Sequence, residues 1–187
     1  TVQDILAPTM ACQNITVQLD ASGNASIVPA DIDNGSTDNC SVVLSLDISA
    51  FTCADLGANT VVLTGTDPSG NTATCAATVT VEDNILPTIT CAADQSQSVD
   101  PGTCAAAVTV IAPASADNCA IVSTINDFNG TADASGIYSV GTTTVTWTVL
   151  DAAGNSATCT QDITVIDDEI PTVICAADQT QSADAGL

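Results

Sequence analysis

A twelve-residue phrase occurs three times in this chain. It reads TVQDILAPTMAC at Thr1–Cys12, TVEDNILPTITC at Thr80–Cys91 and TVIDDEIPTVIC at Thr164–Cys175. Its cysteines fall 79 and 84 residues apart, and the tail Cys175–Leu187 copies Cys91–Thr103. A period near 80 residues with strand composition is too long for solenoid units and suits small β-sandwiches strung end to end. The phrase divides the chain into the end of one repeat (1–6), a first full repeat (7–85), a second (86–169) and the start of another (170–187).

Within each repeat the apolar residues alternate. Cys75, Ala77, Val79 and Val81 share one face of a final strand, and Val145, Trp147 and Val149 share one face of the strand before it. Cys40, Val42, Leu44, Leu46 and Ile48 form a third such face. Period two is the signature of a half-buried strand, and Thr and Val suit a pleated surface. Asp67-Pro68-Ser69-Gly70-Asn71 and Asp151-Ala152-Ala153-Gly154-Asn155 read as hairpin turns in which Gly takes positive φ. Trp147 aligns with Leu63, which makes it a core residue. The expected class is all-β: tandem antiparallel sandwiches of about seven strands each, with partial repeats at both termini. In the second repeat the strands are expected near 91–99, 104–111, 119–125, through 138, 143–150 and 157–166.

The charge balance is one-sided: 22 acidic residues and no Lys, Arg or His, a formal charge of −22. Nothing in the chain can neutralise a phosphate, which excludes nucleic acid as a partner and argues against anionic membranes. No side-chain salt bridge can form. Each carboxylate must be solvated, hydrogen-bonded to neutral groups or bound to a cation. Lys-based isopeptide cross-links are impossible. General acid–base chemistry is confined to Asp, Glu, Tyr138 and thiols, no nucleophile has a base beside it, and the carboxylates recur in turn motifs as scaffolding does. The reading is a non-enzyme. Nine cysteines with no C-x-x-C pair and no His argue for disulfides in an oxidising compartment rather than a zinc site. No transmembrane run is present in this sequence.

The run Val140-Gly141-Thr142-Thr143-Thr144-Val145-Thr146-Trp147, followed by Asp151-Ala152-Ala153-Gly154-Asn155-Ser156-Ala157-Thr158-Cys159, resembles the hyalin-repeat (HYR) signature. The first repeat departs from it at Phe51-Thr52-Cys53-Ala54-Asp55-Leu56-Gly57, and is similar to repeats found beside HYR-like domains in large surface proteins of Bacteroidota, including gliding adhesins. The resemblance implies an immunoglobulin-like fold, adhesion and a cell-surface address, and names no ligand.

In such a fold the interdomain linker, the D-N-C loop (Asp38-Asn39-Cys40; Asp117-Asn118-Cys119) and the turn between the last two strands meet at the leading end of each sandwich. That gathers Glu82, Asp83, Asn84, Asp117, Asn118, Asp151 and Asn155 for the second repeat. For the first it gathers Asp4, Asp38, Asn39, Asp67 and Asn71, with Asp31 and Asp33 nearby. Oxygen ligands without imidazole suit Ca²⁺. The competing reading is turn capping by Asp and Asn. Asp31-Ile32-Asp33-Asn34-Gly35 opens like an EF-hand loop, but Val42 stands where the closing Glu belongs. The same fold places Cys12, Cys40, Cys75 and their counterparts Cys91, Cys119, Cys159 near leading ends, and Cys53 and Cys104 at trailing ends. Expected pairs are Cys40–Cys75 and Cys119–Cys159 within repeats, with Cys53–Cys91 and Cys104–Cys175 between them. Cys12 is then left for a preceding repeat, and a local Cys91–Cys104 bridge is the rival. The function expected is a stalk or fibre segment of a secreted surface adhesin, its partners being neighbouring repeats and, in a fibre, other copies. The alternatives are a Ca²⁺-dependent glycan- or surface-binding domain and a self-assembling extracellular filament subunit.

Overall fold

The computed structural model describes residues 3–180. The terminal partial repeats expected at 1–6 and 170–187 therefore lie partly outside the described residues.

Two sandwiches follow one another. The first is built from β1 (Ile15–Gln18), β2 (Asn24–Ser26), β3 (Val43–Leu46), β4 (Ala50–Thr52), β5 (Gly57–Thr66) and β6 (Thr72–Glu82). The second comprises β7 (Thr88–Thr90), β8 (Gln95–Ser98), β9 (Ala105–Val108), β10 (Ala114–Ala116), β11 (Ile121–Asn126), β12 (Gly136–Ser139), β13 (Gly141–Asp151) and β14 (Ser156–Ile166). Helix among the described residues amounts to one turn at Pro29–Ile32 and a 3-10 turn at Cys53–Asp55.

Each sandwich has one four-stranded sheet, ordered β1-β6-β5-β3 and β8-β14-β13-β11, faced by short pairs: β2-β4 in the first, and β9-β12 and β7-β10 in the second. The expected antiparallel pattern holds except at one edge, where β1 runs parallel to β6 and β8 parallel to β14. The first strand is split to achieve this: β7 pairs β10 on one layer, then the chain crosses past Cys91 and joins the other sheet as β8. Of the strand expected at 104–111 only β9 forms; past Pro113, which has no N–H to give to a ladder, the chain pairs again as β10, outside the expected strand.

The hairpins form where the sequence places them. Asp67 N–H donates to Asn71 O at 3.1 Å and Asp151 N–H to Asn155 O at 3.0 Å, with Gly70 and Gly154 at φ 90° and 96°. Two of the three alternating faces fill the cores; the third is half-buried at Val42, Leu44 and Leu46 and exposed at Cys40 and Ile48. Val61, Leu63, Val79 and Val81 pack with Phe51, Ile27 and Ile32; Val145, Trp147, Ile163 and Val165 pack with Tyr138, Ala106 and Val108. Trp147 and Leu63 are both fully buried, as their alignment requires. Each such side chain contributes roughly 1.5–3 kcal/mol on burial.

Three disulfides join Cys12 to Cys75, Cys91 to Cys159 and Cys53 to Cys119; Cys40, Cys104 and Cys175 are exposed thiols. This corrects the expected pairing. Cys75 stands opposite Leu63, which stands opposite Leu46, six residues along from Cys40. At ~3.3 Å per residue that is roughly 20 Å, beyond the ~7 Å a bridge allows between Cα atoms. Cys159 is likewise level with Trp147 and Asn126, seven residues from Cys119. The within-sandwich partners are instead Cys12 and Cys91, which reach the final strand from the facing layer. Because Cys91 is taken in its own core, the expected Cys53–Cys91 bridge does not form. Nor does Cys104–Cys175: Cys175 lies in an exposed segment with no strand partner. The trailing-end cysteine does cross to the next sandwich, but its partner is Cys119, with Cα atoms 5.5 Å apart.

Candidate functional site at the junction of the sandwiches

The junction is built on the last residues of β6. Leu19 N–H donates to Glu82 O at 2.9 Å, tying the strand end to the first sandwich. Gln18 Nε2 donates to Glu82 Oε2 and Asn84 Nδ2 to Gln18 Oε1, each at 2.7 Å. Glu82 and Asn84 therefore brace the linker through Gln18. Asp83, between them, is only 4% exposed.

The β13–β14 turn of the second sandwich grips the linker from the other side. Asp151 Oδ1 accepts from Ala153 N–H at 2.9 Å and Asn155 N–H at 2.7 Å, which folds the turn. Asn155 Nδ2 then donates to Asp83 O (2.9 Å), Ile85 O (3.3 Å) and Asp151 Oδ2 (2.8 Å). Both Asp151 oxygens are thus satisfied by neutral donors. For Asp151 and Asn155, turn capping accounts for the residues.

The D-N-C loop completes the site. Asp117 Oδ2 accepts from Cys119 N–H at 2.9 Å. Asn118 Nδ2 donates to Asp83 Oδ1 at 3.2 Å and to Asp20 O of the first sandwich at 3.3 Å. Three oxygens are left over. Asp83 Oδ2, Asp117 Oδ1 and Asn118 Oδ1 are buried and accept nothing. Ligand atoms of Asp83, Asp117 and Cys119 lie within 4.8 Å of one another, and the Cys119 sulfur is committed to Cys53. Two carboxylates at close quarters, each with one oxygen shut off from water and no basic side chain in the chain, are costly unless a cation joins them. The donor set that remains is oxygen only, which is the set a hard divalent cation takes.

The leading end of the first sandwich repeats the arrangement. Asp4 Oδ2 accepts from Asn39 Nδ2 at 3.0 Å and from the Cys40 thiol at 3.5 Å, and Asp38 Oδ2 accepts from Cys40 N–H at 2.9 Å. Asp38 Oδ1 is buried without a donor. Asn71 Nδ2 holds Asp4 O, Leu6 O and Asp67 Oδ2, as Asn155 does at the junction. Hydrogen bonds from Leu6 N–H and the Asn39 side chain hold the Asp4 carboxyl below the usual range. Burial would raise Asp67, but the Asn71 side chain and the N–H groups of Asn71, Ser69 and Gly70 outweigh it and hold it low. Asp4 accepting from the thiol, with burial and the charges of Asp4, Asp38 and Asp67, pushes Cys40 up. Asp31 and Asp33 lie elsewhere: Asp31 Oδ2 accepts from Val28 N–H and Asp33 Oδ1 from Ser36 N–H, local caps both.

Two junction residues were not legible in the sequence. Asp20 contributes a backbone carbonyl, which any residue carries. Gly23, at φ +72°, sits where an added Cβ would meet Cys53 Sγ at 2.6 Å and Asn118 O at 2.8 Å. Its signal is the close approach of the two chains, and that exists only in the fold.

These features define the class: tandem β-sandwich repeats clamped end to end. Residues 82–165 match the HYR domain family, a stretch that takes in the second sandwich; the first lies outside the match. Hyalin of Strongylocentrotus purpuratus is 34% identical over 126 residues, 64% of this chain and 10% of the hyalin. Hyalin of Lytechinus variegatus is 32% identical over 136 residues, 70% of this chain and 25% of the hyalin. The chain thus spans between a tenth and a quarter of the length of these relatives. Among solved structures, Drosophila N-cadherin EC1-4 aligns with 87% of this chain and 50% of its own at 12% identity and TM-score 0.43. An I-band fragment of titin aligns with 87% and 66% at 12% identity and TM-score 0.40.

Proposed function

We propose that this chain is a stiff stalk segment of a secreted, cell-surface tandem-repeat adhesin, mechanical and adhesive rather than catalytic. One observation carries the reading: the Cys53–Cys119 bridge joins the trailing end of one sandwich to the leading end of the next. With it, Asn118 and Asn155 hold the linker from two sides, so tension passes between sandwiches through a covalent bond and a pinned strand end. The disulfides fit an oxidising, extracellular setting. Similarity to hyalins supports the adhesion role.

Calcium belongs to this proposal. Asp83, Asp117 and Asn118 would hold it through the three oxygens that lack donors, and Asp4, Asp38 and Asn39 would hold a second ion at the other leading end. The ion would supply charge neutralisation between carboxylates and so stiffen the junction. A glycan-binding role is less favoured because the aromatic rings sugars stack on are used internally. Phe51, Tyr138 and Trp147 are buried, and Phe128 lies stacked on Tyr138 with centroids 4.3 Å apart.

Small-angle X-ray scattering tests the stalk. The intact chain is expected to give a single extended pair-distance profile that keeps its maximum dimension across salt concentrations. Replacing Cys53 and Cys119 with Ser should broaden it. An identical profile for that variant would remove the stalk reading.

A further inference from the structure

The repeat relates two exposed thiols to the staple already formed. Cys40 closes a D-N-C loop whose counterpart closes with Cys119. In both loops the Asp side chain accepts from the cysteine N–H at 2.9 Å, and in both an acidic residue of the incoming linker, Asp4 or Asp83, lies beside the Asp. Cys119 is bridged to the trailing end of the sandwich before it; Cys40 is not bridged.

Cys104 sits at the trailing end of the second sandwich. In the first sandwich that edge closes with Asp20 N–H on Asn24 O, and Gly23 lies across from Cys53, one step beyond the Asn24–Thr52 pair. In the second it closes with Asp100 N–H on Ala105 O, a turn one residue longer. The extra residue is Cys104, whose carbonyl accepts from Val140 N–H at 3.1 Å, one step beyond the Ala105–Ser139 pair. The cysteine has moved from one strand of the edge to the other and kept its level.

The surroundings correspond as well. Ala21, Ile85, Leu86 and Thr88 line a small cleft of ≈ 210 Å³ that Asp117 and Asn118 close from the next sandwich. At the second trailing end Glu169, Ile170 and Thr172, the counterparts of Ile85, Leu86 and Thr88, line a cleft of ≈ 780 Å³ together with Thr103 and Cys104. Glu169 braces it by accepting from Gly102 N–H at 3.0 Å.

We propose that the Cys104 cleft receives the D-N-C loop of a repeat following in the same array, and that Cys104 bridges its cysteine as Cys53 bridges Cys119. Cys40 is the receiving half of the same joint. The proposal rests on the stalk reading and extends it to every junction: one trailing-end cysteine, on either strand of the edge, to one D-N-C cysteine. Formation is ordinary exchange. One thiolate attacks glutathione disulfide and releases a glutathione thiolate. The second then attacks the mixed disulfide and releases another, so two thiols are oxidised, one glutathione disulfide is reduced and two protons are lost.

The test is a tandem chain in which Cys12–Leu187 of a second copy follows Ile174 of the first, so that Cys12 takes the frame position of Cys175. It is refolded in a glutathione redox buffer with millimolar Ca²⁺, cleaved at Asp and mapped without reduction. A peptide joining Cys104 of the first copy to Cys40 of the second is expected. Cys104→Ser should leave that Cys40 open to alkylation without disturbing the other bridges, since both thiols are exposed. Both thiols alkylated after oxidation, or Cys104 recovered on Cys12, would overturn it. The scattering experiment concerns only Cys53 and Cys119, so failure of this joint and failure of the stalk reading are separately visible.

Discussion

Single residues at the junction work through close approach. Gly23→Ala must place a Cβ against Asn118 O, at a left-handed φ that itself costs roughly 1–2 kcal/mol for a non-glycine residue. Gly70→Ala, at φ +90° with nothing within 4 Å, carries the backbone cost alone. Gly23→Ala should therefore lose more stability in denaturant melts, and its Cys53–Cys119 bridge should be reduced faster by dithiothreitol, while Gly70→Ala reduces at the parent rate. Asp67 gives a pH signature. Its folded carboxyl is held below 3.8, so its stabilisation is fully present above that value and disappears as pH falls through the lowered one. The stability difference between the parent and Asp67→Asn should be constant near neutrality and shrink below about pH 4. Taking the difference removes the opposing gain from discharging the other carboxylates, which both proteins share. Cys40 offers a kinetic check: Asp4→Ala removes the thiol's acceptor and the nearer charge, and should speed its alkylation by iodoacetamide at pH 8.

At the scale of elements, the sheets take their stability from two long hairpins, and the bridges tie the first strand of each sandwich to the last. Cys91–Cys159 spans 68 residues, and closing such a loop in the unfolded chain is worth about 4 kcal/mol on the chain-entropy account. Replacing both cysteines with Ser should lower the stability of the second sandwich by about 2–4 kcal/mol and leave the first near its parent value. Equal losses in both, followed by hydrogen exchange, would mean that the two cores do not unfold separately. The element readings made from sequence fared well for a physical reason. Alternation such as Val145, Trp147, Val149 leaves one burial solution, since a one-residue slip would turn Trp147 to solvent. The parallel edge strands β1 and β8 were not legible. Nothing in Ile15–Gln18 or Gln95–Ser98 states which neighbour a short edge strand pairs with, or in which direction.

At the scale of the whole molecule, calcium should act on the junction. If the ion binds Asp83, Asp117 and Asn118, the folded chain gains about 2.7 kcal/mol at a hundredfold excess over Kd. A rise in melting temperature with millimolar Ca²⁺, reversed by chelation, is the expected result. It should be reduced in Asp83→Asn and Asp117→Asn and retained in Asp20→Asn, whose contribution is a carbonyl. No calorimetric heat in the parent would end the calcium proposal. Sequence alone determined the repeat, the all-β class, the hairpin turns, the core faces and the absence of basic partners, because these follow from period, composition and local turn chemistry. It gathered the acidic residues at the leading end, but could not separate Asp151, whose oxygens are both satisfied, from Asp83 and Asp117, which keep one orphan oxygen each. Nor could it pair the cysteines. Which sulfurs meet depends on how far each stands along its strand: Cys40 lies six residues past the level of Cys75, while Cys12 faces it across the sandwich. Such distances are set by the register and packing of whole sheets, and only the tertiary structure decides them.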